Sequence, residues 1–402
     1  MTSPAPDGGL TPARLFKLLF LLWLAGTATR VTIIAVPPVL PLIHDDLHLS
    51  ETQVGLLIGL PVALFAVAAV PGSLLIARLG ASLTMLAGMI VTALGAGGRG
   101  FAADVWTLYG ATMLMGLGIA IMQPALPTLV REWVPGRIGF GTAIASNGMV
   151  VGGTLAPALT IPLVLPLVGQ SWRLDLVFWA LPVVATAILF YLLGPRAHWR
   201  TKRRLTAGRR WWPDFRSPTT WLLGLTFGSN NSIYYGVNAF LPDYLVSVGH
   251  ADLLGSGLGW FNGAQLIGSC VLLLLGEALH RRAWPYLVFA SMTLAALLAI
   301  LLTGGSWIVV AAALLGFSSS VTFVLCLALP PLLSAPDDVH RTSAGMFTVS
   351  YACAVIIPTL SGALWDVTHR PFMAFVPLCL CAVTLGALGA ECSRRGARQR
   401  DV

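Results

Sequence analysis

Arg30 is the residue whose type and surroundings point most directly to chemistry. It stands among Thr27, Thr29 and Thr32 inside an apolar run. A guanidinium keeps its charge at any physiological pH, and its planar fork matches carboxylate-like anions. An arginine at depth in an apolar medium costs at least about 2.5–3.5 kcal/mol on insertion scales, so such residues are usually functional. The alternatives are a structural cation paired with a carboxylate or carbonyls, or a side chain that snorkels to an interface. No Asp or Glu falls in the middle of an apolar run, so an anionic ligand is the favoured counter-charge. A second polar group lies around Ser229, Asn230, Asn231 and Ser232. On a helix Asn231, Tyr234 or Tyr235, and Asn238 share one face. Such a face would line a cavity or bond neighbouring helices. Gln123, Asn147, Asn262, Gln265 and Tyr351 stand in the same balance, with Asn262 and Gln265 one helical turn apart.

The elements that must position these residues follow from composition. The chain has 402 residues, 56% hydrophobic and 10% charged, with a mean hydropathy of +0.82. A soluble domain carries roughly a quarter charged residues, so the solvent here is lipid. That excludes a soluble enzyme, a nucleic-acid-binding module and a disordered scaffold. The apolar runs are continuous rather than alternating, so the expected fold is all-α integral membrane. Twelve transmembrane helices are expected at about 15–40, 52–76, 82–102, 105–129, 139–166, 173–194, 218–245, 255–276, 284–303, 307–333, 343–365 and 371–391. Twenty Lys and Arg then fall on the side of the N-terminus against three (Arg99, Arg173 and Arg370) on the other. The asymmetry puts both termini in the cytoplasm of a multi-pass plasma-membrane protein, taken as a bacterial inner membrane. Met1–Thr11 does not read as a cleaved signal peptide.

The basic segment 195–217 divides the helices six and six, giving bundles at 1–194 and 218–402. Leu40-Pro41 recurs as Leu241-Pro242 after 201 residues, which suggests a parallel six-helix repeat and places Asn231 opposite Arg30. The architecture is that of a secondary transporter whose bundles rock around a site near the midplane.

Arg30, Val36-Pro37-Pro38-Val39-Leu40-Pro41, Leu49 to Gly55, Gln123-Pro124 to Pro127, Tyr234 to Pro242 and Gly362 to Thr368 form a pattern spread over the whole length. In these segments the sequence resembles the major facilitator superfamily, and within it the cyanate porter branch of CynX/NimT-type transporters. In the loop after the second span only Arg78 and Gly80 match the superfamily's gating motif. Ala77 stands in its Asp slot, which puts the usual inner gating salt bridge in doubt. The resemblance also implies an arginine at position 30.

The expected function is movement of a small anionic or anion-like polar solute by alternating access, the cargo being cyanate-like, nitroimidazole-like or a small carboxylate. The substrate-binding set is Arg30, Asn231, Tyr234, Tyr235, Asn238, Asn262, Gln265, Gln123, Asn147 and Tyr351, with Arg78 and Gly80 in gating. The rivals are a proton-coupled exporter of drug-like compounds, which needs a buried acid, and a non-transporting membrane receptor on the same scaffold. No metal, cofactor or nucleic acid is expected, and no catalytic group. A coupling proton is left open, and the chain reads as a monomer in the lipid bilayer.

Overall fold

The computed structural model describes residues 11–49, 51–195, 212–279, 282–335 and 337–398. Most of the basic segment and the N-terminal stretch Met1–Leu10 lie outside them. Every described element is helical. In chain order these are α1 (Pro12–Ala28), α2 (Val36–Leu47), α3 (Glu51–Leu79), α4 (Ala81–Gly98), α5 (Val105–Trp133), α6 (Ile138–Leu159) and α7 (Trp172–Leu193). There follow α8 (Pro218–Ser247), α9 (Leu254–Leu279), α10 (Trp284–Leu302), α11 (Ser306–Leu327), α12 (Val339–Thr368) and α13 (Val376–Arg398).

Each of the twelve expected places is occupied by helix. Among the described residues nine helices are long and apolar enough to cross a membrane. A tenth is counted if the two straight pieces of α3, bent by 55°, form one span. The remaining two places hold α1, only 17 residues long, and α8, which carries the Asn-rich stripe.

The first span departs from expectation. It is not one helix over 15–40 but two, separated by turns over 29–35. The sequence gives a reason. Val31-Thr32-Ile33-Ile34 is β-branched throughout, and Pro37 and Pro38 lack the N–H groups that would bond the carbonyls four residues back. Those prolines are tolerated in the first turn of α2, where the N–H has no helical acceptor anyway.

Other helix ends also have local causes. Gly80 starts α4 at φ 85°, a left-handed conformation that glycine adopts without steric cost. Asp104 caps α5 by accepting from the Thr107 N–H at 2.9 Å while Thr107 answers its backbone, a capping box. These bonds hold the exposed Asp104 carboxyl below its usual range. Ser171 caps α7, and Ser217 caps α8 ahead of Pro218.

The chain groups into two compact units: Met1–Pro213 with Pro336–Ala344, and Asp214–Ala335 with Gly345–Val402. Within the first, α1 packs on α6, α3 on α5, and α4 on both α5 and α7. Within the second, α9 packs on α11, and α10 on both α11 and α13. The same pairing of second with fourth, third with fourth and third with sixth span thus occurs in each unit, as a parallel repeat requires.

Glycines set the closest approaches. A Cβ at Gly26 would land on the Ala145 carbonyl, one at Gly148 on that of Trp23, and one at Gly152 on that of Thr27. Helices α1 and α6 therefore touch backbone to backbone just before the turn that carries Arg30. In the second unit Gly224 and Gly228 let α8 seat against Val349, Ser350 and Cys353 of α12. The small-residue stripes serve helix packing.

Candidate functional site

In the first unit Arg30 sits half-buried on the turn between α1 and α2, off the regular helix. Its carbonyl accepts from the N–H groups of both Ile33 and Ile34, and its own N–H donates to the Thr27 carbonyl. The Thr29 hydroxyl donates to the Gly26 carbonyl at 2.6 Å. The turn is thus tied to the last residues of α1. Arg30 also takes part in interactions inside the protein. Asn147 of α6 is buried and accepts from the Trp23 indole N–H at 2.9 Å. Gln123 is buried in α5, one residue before Pro124. Arg78 is exposed at the end of α3 and Gly80 follows it in the left-handed turn.

Three charged residues expected at the span ends make closer contacts than that position suggests. Arg173 donates to the Asp46 carboxylate at 2.6 Å and to the Ala102 carbonyl, and its guanidinium lies over the Trp172 ring. Trp172 donates to the same carboxylate at 3.2 Å. The Arg173 hydrogen bond foremost, and that of Trp172, hold the Asp46 carboxyl below its usual value. Arg99, counted from sequence on the side opposite the N-terminus, is 0% exposed. Its Nη2 donates to the Thr32 carbonyl at 2.9 Å. Asp175, in the first turn of α7, is also 0% exposed and interacts electrostatically with Arg99. An acid near a span end can therefore be as fully enclosed as one in its middle.

In the second unit the expected residues come together in two groups. The first joins α8 to α9. The Tyr234 hydroxyl donates to Asn262 Oδ1 at 3.4 Å, and Asn262 Nδ2 donates to Asn238 Oδ1 at 3.1 Å. Gln265 Nε2 donates to Asn262 Oδ1 at 3.2 Å, and Asn238 Nδ2 returns to the Tyr234 carbonyl. Tyr235 packs edge-on against Tyr234 with ring centroids 5.2 Å apart. The second group lies deeper. Asn231 Nδ2 donates to Ser350 Oγ of α12 at 2.8 Å. Its neighbour Asn230 accepts from Thr322 of α11 at 2.6 Å and from Ser319 at 3.5 Å. Tyr351 is buried and stacks on Phe347.

Asn231 and Asn230 thus bond between helices, while the half-buried Tyr234, Asn238, Asn262 and Gln265 offer amide and hydroxyl groups along one face. Sequence reading passed over Asn230 as a site residue, although it adjoins Asn231. It also passed over Arg99 and Asp175, whose one available signal was charge beside a long apolar run. Among the described residues no group of His, Cys, Asp and Glu could hold a metal ion.

Comparison with known proteins agrees with this architecture. The chain is 27% identical over 377 residues to the uncharacterized transporter YycB of Bacillus subtilis, covering 91% of this chain and 90% of that one. It is 26% identical over 379 residues to the cyanate transport protein CynX of Escherichia coli, covering 92% and 95%. It is equally similar to the 2-nitroimidazole transporter of Escherichia coli, at 26% over 379 residues and 90% and 92% coverage. Among solved structures it matches the proton:xylose symporter XylE at a TM-score of 0.79 and 11% identity, covering 94% and 95%. The Major Facilitator Superfamily model matches residues 18–358. This chain belongs to that family, as a multi-pass membrane protein and secondary transporter rather than an enzyme.

Proposed function

We propose that the protein carries a small anionic or anion-like polar solute by alternating access, with Arg30 as the anion contact. The observation that supports this most is a half-buried guanidinium on a turn that interrupts the first span. A fixed positive charge there attracts an anion, and a turn lets backbone as well as side chain face a solute. Tyr234, Tyr235, Asn238, Asn262 and Gln265 would add hydrogen bonds, and Asn231, Gln123, Asn147 and Tyr351 would shape their surroundings. Arg78 and Gly80 would act in gating. The relatives named for cyanate and 2-nitroimidazole favour a compact cargo with delocalised electrons. In this reading the bundles are 1–194 and 218–402 joined by a cytoplasmic linker, both termini are cytoplasmic, and the chain works as a monomer in a bacterial inner membrane.

A second reading, proton-coupled transport, has one observation in its favour. Asp175 is a fully enclosed carboxylate, the kind of group that a proton-driven carrier needs. An imposed pH gradient that fails to drive uptake removes this reading and leaves the first untouched.

The test of the main reading is a thermal-shift screen of purified protein against cyanate, nitrate, formate and 2-nitroimidazole. A bound ligand at a hundred times its Kd stabilises by about 2.7 kcal/mol. At least one of these solutes is expected to raise the Tm of the wild type, to raise it less in Arg30→Lys, and to leave Arg30→Ala unmoved. An equal shift in Arg30→Ala would overturn the assignment.

A further inference from the structure

We infer that Arg99, held by Asp175, is the positioning residue for Arg30. It grips the turn between α1 and α2 and so fixes where the Arg30 guanidinium stands. The inference rests on the reading of Arg30 as the anion contact.

Three observations carry it. First, Arg99 is wholly enclosed at 0% exposure, although a chain end of α4 would let it reach water at little cost. Enclosing a guanidinium is expensive unless it is paired and hydrogen-bonded. Second, the directed bond it makes goes to the Thr32 carbonyl. Its Nε and Nη1 find no acceptor, and the Thr32 hydroxyl finds no partner either. The grip on the turn is therefore through main chain, two residues from Arg30. That backbone is otherwise fixed by the Arg30 carbonyl, which accepts from Ile33 and Ile34 at 3.2 and 3.3 Å. Third, Asp175 supplies the counter-charge without competing for direction. It lies in electrostatic reach of Arg99, with Trp179 and Thr160 beside its carboxylate. It stands in the first turn of α7. The pair thus anchors the guanidinium by charge on one side and aims it at the turn on the other. The Asp46–Arg173 pair, in the same unit, ties the far end of α2 to the start of α7. Both ends of the interrupted segment are then held by arginines other than Arg30.

The test uses the full chain in lipid nanodiscs and in proteoliposomes. Hydrogen exchange is followed over Thr29–Ala35 in the wild type, in Arg99→Lys, and in the combined Arg99→Met, Asp175→Leu variant. Lysine keeps the charge but loses the planar fork. The combined variant removes the clamp without stranding a charge, so it remains informative if a single change fails to fold. Exchange over the turn is expected to quicken about tenfold in both, with α4 and α5 unchanged. Cyanate uptake in Arg99→Lys is expected to show a KM about tenfold higher with the maximal rate retained. In an Arg30→Lys background Arg99→Lys is expected to add no further rise, because both changes act on one contact. Wild-type exchange over the turn in both variants would overturn the clamp. Faster exchange with a KM that responds only to Arg30 would overturn its positioning role. If cyanate uptake responds to neither arginine, the anion reading fails and the exchange measurement alone decides the clamp.

Discussion

The interiors of the two units differ in charge. The first encloses Arg99 and Asp175, half-buries Arg30, and closes one end with Asp46 and Arg173. The described interior of the second is joined by neutral amides and hydroxyls: Asn230, Asn231, Ser350 and Thr322 deep inside, Tyr234, Asn238, Asn262 and Gln265 nearer the face. The first span of the first unit is broken, while its counterpart α8 runs unbroken for 30 residues. The contrast has a physical logic. Neutral amides are both donors and acceptors, so they satisfy one another between helices and hold a continuous span in place. A guanidinium has no acceptor capacity and cannot shed its charge. It needs carbonyls or anions, and interrupted backbone provides the first. In the proposed function the first unit would supply charge recognition and the second neutral hydrogen-bonding groups.

The largest effect expected from breaking this contrast is at Asp175. Asp175→Ala leaves Arg99 enclosed without counter-charge and should cost about 3–5 kcal/mol, read as a steep fall in Tm. Replacing both members by Met and Leu should recover most of that loss, since an apolar pair of similar volume leaves nothing stranded. A smaller effect is expected where helix backbones touch. Gly148→Ala drives a methyl into the Trp23 carbonyl and should cost about 1–3 kcal/mol by overpacking, again read as Tm. Asn230→Ala, which removes the acceptor of two bonds from α11 to α8 in the neutral unit, should cost only about 0.6–1.7 kcal/mol. If Asn230→Ala proved as damaging as Asp175→Ala, the distinction between the units would lose its energetic meaning.

The smallest effect is pH-dependent. The Asp46 carboxyl is held below its ordinary value by Arg173, so the pair contributes fully above that ordinary value. The contribution is lost as pH falls through the lowered one. Asp46→Asn should therefore lower Tm slightly at pH 7, and the gap should close below about pH 4. The pair is 36% and 44% exposed, and solvent screening keeps its contribution under about 1 kcal/mol. A gap that stays constant to low pH would show that the carboxylate's charge plays no part.

Much of the fold was legible because lipid imposes it. Continuous apolar runs located the twelve helical places, although the first holds two helices rather than one, and the Leu-Pro repeat matches the packing that recurs within each unit. The break at 29–35 is hidden in the sequence. Its β-branched run is indistinguishable from one more apolar stretch, and Pro37 and Pro38 suit the close of one helix as well as the first turn of another. The amide face of α8 and α9 was legible from helical spacing, because Tyr234 and Asn238, and Asn262 and Gln265, stand one turn apart. The Arg99–Asp175 pair was not, because its members are 76 positions apart on spans three and six. Only tertiary packing brings α4 against α7. A charge at the end of a span looks the same in sequence whether it faces headgroups or is folded inward.

In the proposed function Arg30 supplies the charge that attracts the cargo. Counterflow of radiolabelled cyanate in proteoliposomes, with wild type, Arg30→Lys and Arg30→Ala side by side, tests this. Saturable exchange is expected in the wild type, a weaker but measurable signal in Arg30→Lys, and background in Arg30→Ala with the protein still folded. Wild-type exchange in folded Arg30→Ala would contradict it.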